Sequence, residues 1–322
     1  MTKKKRIFVS GHKGLVGSAI VRQLQNKPDN ELVLKSRKEL NLINQEDVKY
    51  FFKDEKIHQV YLAAGKVGGI NANNTMPANF IYENIMIEAN IIHSSFMNNI
   101  KKLLFLGSSC IYPKFADQPM KETELLKGYL EPTNEPYAIA KIAGIKLCES
   151  YNRQYKKTKG IDYRTVMPTN IYGPGDHYDE EKSHVIPALI MKFRKAVINK
   201  QSNVKLWGSG NAKREFLYVD DLARACVFIM NLDSNIYNKF ISDMNNHINI
   251  GYGDDISIKE LANKISKLTN FQGDIIYDEQ MPDGTPRKLI DSTIINNMGW
   301  KPEFSLDEGL KETYQDFINR FN

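Results

Sequence analysis

The sequence predicts an α/β protein with a Rossmann-type, doubly wound parallel sheet and a smaller α/β lobe interleaved with it towards the C-terminus. Short apolar segments of strand length alternate with longer segments of helical spacing. The first strand-length segment runs into a glycine-rich turn and then a helix. The chain has 322 residues, a length at which single hydrophobic cores begin to divide. We therefore expect one domain over residues 1–173, joined by later interleaved segments, and a second lobe mainly over 174–322.

The composition is that of a globular protein, with 42% hydrophobic and 25% charged residues. No apolar run approaches the ~20 residues of a membrane span, and the lysine-rich start lacks the apolar core of a signal peptide. Three cysteines without a CxxC pair predict neither disulfides nor a zinc site. We therefore expect a cytoplasmic protein that does not bind membranes.

The net charge and the spacing of the histidines limit the kinds of ligand that the protein is expected to bind. The net charge is +6, but beyond the first residues basic and acidic side chains alternate, which argues against a nucleic-acid surface and favours anionic small molecules. We expect no metal, because five histidines have no second ligand at metal-binding spacing: His12, His58, His93, His177 and His247.

A glycine motif follows the first predicted strand, residues 6–10. Its spacing is GxxGxxG, and helical spacing begins at about residue 18. Glycines let the backbone turn tightly and approach a pyrophosphate, whose charge is stabilised at a helix start. We expect a dinucleotide to bind this turn, which consists of Gly11, His12, Lys13, Gly14, Leu15, Val16 and Gly17.

The turn after the second predicted strand, residues 32–34, is basic. NAD-specific sites usually carry an acidic residue here, whereas this chain has Lys35, Arg37 and Lys38. Because a guanidinium pairs well with phosphate, we expect Arg37, helped by Lys13 or Lys35, to bind the 2′-phosphate of NADP. The alternative is an ordinary solvated turn.

Two later strands also end in residues suited to ligand binding. Residues 103–106 run into Ser108 and Cys110, which share one side of an extended backbone, and residues 163–167 run into a second turn. Ligands collect at such strand ends. We therefore expect the cofactor to extend along Leu106, Gly107, Ser109, Pro168, Thr169, Asn170 and Ile171.

Two predicted helices bear on assembly and chemistry. The helix over residues 77–98 is apolar on more than one face, so that one face either forms a subunit contact or packs under the sheet.

Tyr137 and Lys141 share a helix face at spacing i, i+4. A nearby ammonium favours the phenolate, and this predicts a general acid at Tyr137.

These motifs, in order with Arg214-Glu215-Phe216, resemble the extended short-chain dehydrogenase/reductase family that modifies nucleotide sugars. Four longer stretches extend the resemblance, at 107–113, 131–137, 183–187 and 282–288. It spans about residues 6 to 315. It implies a Rossmann domain that binds NADPH and a second lobe that binds a GDP-linked 4-keto-6-deoxy sugar.

By this resemblance, Ser108, Tyr137 and Lys141 form a catalytic triad. Tyr137 protonates the alkoxide formed at C4, Lys141 holds the ribose and lowers the pKa of the tyrosine, and Ser108 orients the carbonyl. The resemblance further implies 3,5-epimerisation, with Cys110 as the base and His184 as the acid. Their reference pKa values, near ~8.5 and ~6.5, suit proton exchange at neutral pH.

The resemblance also assigns sugar-nucleotide contacts to Trp207, Arg214 and Asp283. Two alternatives remain open: Trp207 lies in an interdomain core, or Arg214 pairs with Asp220 or Asp221. Lys192 stands where an arginine is expected, and residues 175–182 also diverge. The substrate is therefore either GDP-4-keto-6-deoxy-mannose or a related GDP-4-keto-6-deoxy-heptose that is reduced with or without epimerisation.

A rival hypothesis from another class is a non-catalytic NADP-binding sensor. The intact set of Ser108, Tyr137 and Lys141 argues against it, because a sensor has no need of a proton donor there. We expect the enzyme to be a homodimer.

Overall fold

A computed structural model describes residues 4–179, 183–281 and 284–321 of the protein. The strands are β1 (Lys5–Ser10), β2 (Asn30–Val33), β3 (Gln59–Leu62), β4 (Lys102–Leu106), β5 (Asp162–Pro168), β6 (Asn170–Tyr172), β7 (Asn203–Trp207), β8 (Lys213–Tyr218), β9 (His247–Ile250), β10 (Asp255–Ser257), β11 (Asp274–Asp278) and β12 (Arg287–Lys288).

The helices alternate with these strands through most of the chain. They are α1 (Leu15–Gln25), α2 (Gln45–Asp54), α3 (Ile70–Thr75), α4 (Pro77–Met97), α5 (Glu135–Lys159), α6 (Val185–Ile198), α7 (Val219–Asn231), α8 (Ser234–Tyr237), α9 (Ile258–Leu268), α10 (Thr293–Asn297) and α11 (Leu306–Phe321). Two short 3₁₀ turns cover Ser109–Ile111 and Glu122–Glu124.

The main sheet has six parallel strands in the order β2-β1-β3-β4-β5-β9. β3, β5 and β9 are buried along their whole length, as expected for parallel strands covered on both faces. Helices α1 and α7 pack together on one face and α2, α4 and α5 on the other. This arrangement confirms the predicted Rossmann-type, doubly wound sheet.

A smaller lobe is built from the remaining strands. β8 pairs with β6, β10 and β12, and β7 pairs with β11. Its apolar core includes Phe193 of α6, Leu261 of α9 and Leu310 of α11. After residue 173 the chain returns to the main sheet as α7 and β9. The two lobes are therefore interleaved along the sequence. The boundary at residue 173 stays a prediction.

Several segment limits differ from those predicted. α1 begins at Leu15 and not near residue 18, with Gly14 in extended conformation as its N-cap. The strand predicted over residues 32–34 is β2, which begins earlier and ends at Val33. Among the described residues, no helix is long and apolar enough to cross a membrane.

The long helix α4 packs on both α2 and α5. Its buried side chains therefore face two neighbours within the chain, which accounts for apolar residues on more than one face. Tyr82 and Met97 remain exposed. Within one chain, the apolar faces of α4 pack against neighbouring helices, as one of the two alternatives expected. The other alternative, a subunit contact, stays a prediction.

Arg164 of β5 is fully buried and ties the sheet to the end of α7. Its guanidinium donates to both carboxylate oxygens of Asp162, at 2.9 and 2.6 Å, and to the carbonyl oxygens of Ile229 and Leu232. The ring of Tyr237 lies 4.4 Å from the guanidinium carbon. These contacts give the buried cation its acceptors and supply a donor to two carbonyl oxygens at the C-terminal end of α7.

We predict that Arg164→Met lowers the free energy of unfolding by about 3–5 kcal/mol, because it leaves the buried Asp162 carboxylate without its cation. Urea unfolding followed by circular dichroism measures the change. The control is Lys264→Met, which breaks the solvent-exposed ion pair with Asp307 and should cost less than about 1 kcal/mol. Equal losses in the two variants would contradict the role of Arg164.

Candidate active site

The glycine turn joins β1 to α1 at the carboxyl edge of the main sheet. Gly11 has a φ of +72°, a conformation that favours glycine. A Cβ placed on Gly17 would lie 2.1 Å from the Gly11 carbonyl oxygen, so that the helix packs against the turn only through glycine. By contrast, a Cβ on Gly14 would meet only that oxygen, at 3.4 Å. The turn therefore leaves open space beside Gly14 and the start of α1.

His12 and Lys13 occupy the same turn. Lys13 is exposed, and the Nδ1 atom of His12 is buried with no hydrogen-bond partner among the described residues. Partial burial, together with the charge of Lys13, lowers the pKa of His12. A buried ring nitrogen of this kind favours a polar ligand over the turn.

The basic turn after β2 lies beside the glycine turn, because β1 and β2 are neighbours in the sheet. The side chain of Arg37 is 79% exposed, and its guanidinium is 3.8 Å from a carboxylate oxygen of Glu83. Lys35 instead pairs with Glu55 at 3.0 Å. The guanidinium of Arg37 is therefore the more accessible of the two cations.

The end of β4 turns in a way that the sequence did not predict. The expected extended backbone at 108–110 is wrong, because residues 109–111 form a 3₁₀ turn. Ser108 stays extended and caps this turn, with its Oγ accepting from the Cys110 amide at 3.5 Å. The turn returns Cys110 towards Ser108, so the two side chains still interact.

The strand-end residues expected along the cofactor lie at the same edge. Leu106 and Pro168 close β4 and β5, which are adjacent, and Gly107 and Ser109 are buried just after β4. Thr169 and Asn170 donate to the Glu215 carbonyl oxygen at 3.3 and 2.8 Å. These two side chains, with Ile171 in β6, connect the main sheet to the smaller lobe.

Tyr137 and Lys141 lie in the first turns of α5, on the face that meets β4 and α4. Tyr137 hydrogen-bonds to Ser108, and its ring makes an edge contact with Phe80, with centroids 6.2 Å apart. The Lys141 Nζ donates to the Leu106 carbonyl oxygen at 3.0 Å and is 5.8 Å from the Tyr137 ring centroid. The predicted triad members therefore lie close together.

The expectation that Lys141 lowers the pKa of Tyr137 is wrong for this structure. Burial raises the pKa of Tyr137 well above its usual value, and the charges of Cys110 and Glu88 raise it further, while Ser108 lowers it. The ammonium of Lys141 pairs with Glu88 at 2.9 Å. An anion beside the ammonium offsets the influence that the spacing alone predicts.

Cys110 lies in the 3₁₀ turn after β4 of the main sheet, whereas His184 precedes α6 of the smaller lobe. Burial raises the pKa of the Cys110 thiol, while Lys288, Ser108 and Lys141 lower it. His184 caps α6 through its backbone, and its side chain makes no cap hydrogen bond. His184 is exposed at its surface, but the protein around its ring partly desolvates the imidazole and lowers its pKa. The charge of Lys288 lowers this pKa further.

The predicted sugar-nucleotide contacts lie mainly on the smaller lobe. Trp207 ends β7 with 62% of its side chain exposed, so its alternative placement in an interdomain core is wrong. Asp220 pairs with Arg22 and Asp221 with Arg224. Arg214 lies on β8 beside Lys288 of β12, and Lys192 is half-buried on α6. Asp283 lies outside the described residues.

Two charged residues at this site had no predicted role. Lys288 acts on both Cys110 and His184, and its sequence signal was only its place at the end of stretch 282–288. Glu88 contacts Lys141, but it lies within an apolar helix, where sequence alone gives no partner. Both depend on contacts between residues distant in sequence.

The sequence of this chain also matches a known protein family. Residues 7–251 match the NAD dependent epimerase/dehydratase family, and the chain belongs to that family.

Individual relatives are similar over nearly the full length. The chain is 57% identical to the GDP-L-fucose synthase of Escherichia coli (strain K12), over 98% of this chain and 97% of that protein. Among solved structures, it resembles a GDP-6-OMe-4-keto-L-xylo-heptose reductase from C. jejuni with a TM-score of 0.90 and 38% identity, covering 99% of each chain. A GDP-mannoheptose C4 reductase from Campylobacter jejuni with NADP bound gives a TM-score of 0.87 and 40% identity, also covering 99% of each.

We predict that Lys288→Met slows alkylation of Cys110 by iodoacetamide, because the lysine charge lowers the pKa of the thiol and only the thiolate reacts. A rise of about one pKa unit would reduce the rate about tenfold at neutral pH. Mass spectrometry distinguishes Cys110, which is 7% exposed, from Cys148 and Cys226, which are fully buried. Lys264→Met is the control, and an unchanged rate in Lys288→Met would remove Lys288 from the environment of Cys110.

Proposed function

We propose that the protein is an NADPH-dependent 3,5-epimerase/4-reductase that converts GDP-4-keto-6-deoxy-mannose to GDP-L-fucose. The observation that carries this proposal is the 57% identity with a GDP-L-fucose synthase over almost the whole of both chains. The grouping of Ser108, Tyr137 and Lys141 with Cys110 at one edge of the sheet supports it.

The residues at the glycine turn suit NADPH. The open space beside Gly14 admits a pyrophosphate against the first amides of α1. The buried Nδ1 atom of His12, in the same turn, has no hydrogen-bond partner in the part of the chain that the structure describes. The exposed Arg37 offers a guanidinium to a 2′-phosphate. Lys35, already paired with Glu55, is the less suitable helper, and Lys13 remains exposed.

For the reduction, bound NADPH would supply a hydride to C4 of the ketone. Tyr137 donates its phenolic proton to the alkoxide that develops on the C4 oxygen, and Ser108 donates a hydrogen bond to the same oxygen. The raised pKa of Tyr137 keeps the phenol protonated at neutral pH, the form that an acid requires. Lys141, buried below the tyrosine, positions the ribose and adds positive charge near the developing anion.

In the epimerisation, the C4 ketone acidifies the protons on C3 and C5. Inversion requires a base on one ring face and an acid on the other, and we assign these roles to Cys110 and His184. Burial raises the pKa of the Cys110 thiol, and Lys288 acts against this in favour of the thiolate; burial also lowers the pKa of His184, and Lys288 lowers it further. One lysine therefore influences both proton-exchanging groups.

The smaller lobe is proposed to bind the GDP moiety. The exposed indole of Trp207 offers a flat apolar surface to a base, and the forked donors of Arg214 suit a diphosphate. Lys192 supplies a further cation, and Asp283 is proposed by resemblance alone. Residues 174–322, without α7 and β9, thus form the proposed sugar-nucleotide lobe.

A heptose substrate is the second candidate. The structural likeness to the two GDP-heptose reductases favours it, as does Lys192 where an arginine was expected. Under this alternative, the protein reduces C4 of a GDP-4-keto-6-deoxy-heptose with or without epimerisation.

We further propose that the enzyme works as a cytoplasmic homodimer. The cysteines Cys110, Cys148 and Cys226 are all unpaired, which suits a reducing compartment. Tyr82 and Met97 on the outer side of α4 offer apolar surface to a second copy.

The first experiment incubates the protein with NADPH in deuterium oxide and either GDP-4-keto-6-deoxy-mannose or its heptose counterpart, followed by NMR and mass analysis. We expect NADPH oxidation with the hexose and deuterium at C3 and C5. Cys110→Ser is the control and should bind NADPH normally while losing the label. Turnover of the heptose alone would replace the hexose proposal with the heptose alternative, and no oxidation with either would favour a non-catalytic sensor.

We predict that Tyr137→Phe lowers the rate of NADPH oxidation about 10²- to 10⁴-fold, the usual contribution of a positioned general acid. Steady-state kinetics at saturating NADPH measures the effect. Tyr151→Phe is the matched control, because Tyr151 lies further along α5 and contacts His93 at 2.6 Å. A near-normal rate in Tyr137→Phe would exclude Tyr137 as the acid.

A further inference from the structure

Helix α4 presents one row of side chains to the start of α5. Phe80, Asn84 and Glu88 are spaced four residues apart and therefore share a helix face. Phe80 contacts the ring of Tyr137, and Asn84 binds the backbone at Lys66 and Phe80. Glu88 contacts Lys141 at 2.9 Å. The same helix face thus touches two members of the proposed triad.

The Glu88–Lys141 pair is deeply buried. The side chains of Lys141 and Glu88 are only 5% and 2% exposed. No donor other than Lys141 reaches either carboxylate oxygen among the described residues. A buried ammonium or a buried carboxylate alone is energetically costly, and here each charge is stabilised by the other.

Close backbone packing makes room for this pair. A Cβ on Gly144 of α5 would lie 2.7 Å from Glu88 Oε2 and 2.5 Å from the Phe105 ring. Glycine at 144 therefore lets the carboxylate approach α5. On the other side, the Lys141 Nζ lies 4.8 Å from the centroid of Phe105 and donates to Leu106, which leaves the ammonium little freedom to move.

From this geometry we propose that Glu88 is a positioning residue for the reduction, which holds the ammonium of Lys141 in place and offsets its charge so that Tyr137 keeps its proton. The proposal deepens the proposed function and rests on it for the role of Tyr137. The offset matters because a lysine without a counter-ion would favour the phenolate, the form that cannot donate.

The surrounding charges agree with this role. The described titratable groups that interact with Glu88 are Lys141, Tyr137 and Cys148 of α5, and those that act on Tyr137 are Cys110 and Glu88. Burial raises the pKa of Glu88 to about 7, against the lowering effect of Lys141. Above that pH the carboxylate is charged and opposes ionisation of the phenol.

The first test uses the cofactor-free protein labelled with ¹³C at the ζ carbon of tyrosine, with Tyr137 assigned from Tyr137→Phe. In the wild type, the Tyr137 resonance should stay that of a phenol up to about pH 10. In Glu88→Gln it should move to the phenolate position at a pH lower by about 1 to 2 units. An identical titration in the two proteins would overturn the proposal, whether or not any sugar is turned over.

The second test measures kcat against pH for substrate reduction at saturating NADPH. Activity falls as Tyr137 loses its proton, so the alkaline limb should move to lower pH by the same amount in Glu88→Gln, while KM for NADPH changes less than kcat. Glu149→Gln is the matched control, because Glu149 is also 2% exposed and pairs with Lys146 at 2.7 Å. It should leave the limb in place, and an equal shift in both variants would indicate a merely structural effect.

Glu88→Asp covers the case in which Glu88→Gln does not fold. The shorter side chain keeps the negative charge but withdraws it from Lys141. An intermediate shift of the Tyr137 resonance supports the proposal, and a resonance that titrates as in the wild type contradicts it.

Discussion

The parallel register of the main sheet is the constraint on which the site depends. Ser10 lies beside Leu62, Leu62 beside Phe105, and Phe105 beside Thr165. Because parallel strands end at one edge, this register brings together the glycine turn, the Ser108 turn and the Pro168 turn. A change in pairing would move these turns by several ångströms and separate the proposed cofactor and catalytic residues.

Buried charge is the second organising feature. Arg164, paired with Asp162 of the same strand, joins β5 to the carbonyl oxygens at the end of α7, while Lys141 joins α5 to α4 through Glu88. Both pairs lie where water is excluded, so that losing one partner leaves an expensive isolated charge. The first pair supports the fold. The second lies near Tyr137, with the Lys141 ammonium 5.8 Å from the ring centroid and the Glu88 carboxylate raising the pKa of the phenol.

The smaller lobe completes the site from the other side. His184 begins α6, and Lys288 lies on β12 beside Arg214 of β8. Thr169 and Asn170 tie β8 to the turn after β5 through the Glu215 carbonyl oxygen. Through these contacts the lobe that carries the proposed acid is joined to the sheet that carries the proposed base.

The sequence by itself determined the alternation of strands and helices, the glycine turn and the shared helix face of Tyr137 and Lys141, because these depend on local periodicity and spacing. The grouping of Ser108 with these two residues followed from the family resemblance. It could not predict the 3₁₀ turn at 109–111, the Glu88–Lys141 pair or the position of Lys288 near Cys110 and His184. Only the tertiary structure decided these, since they arise from packing between distant segments. The direction of the Tyr137 pKa shift follows from them: spacing placed a cation near the phenol, but burial and the carboxylate of Glu88 raise its pKa.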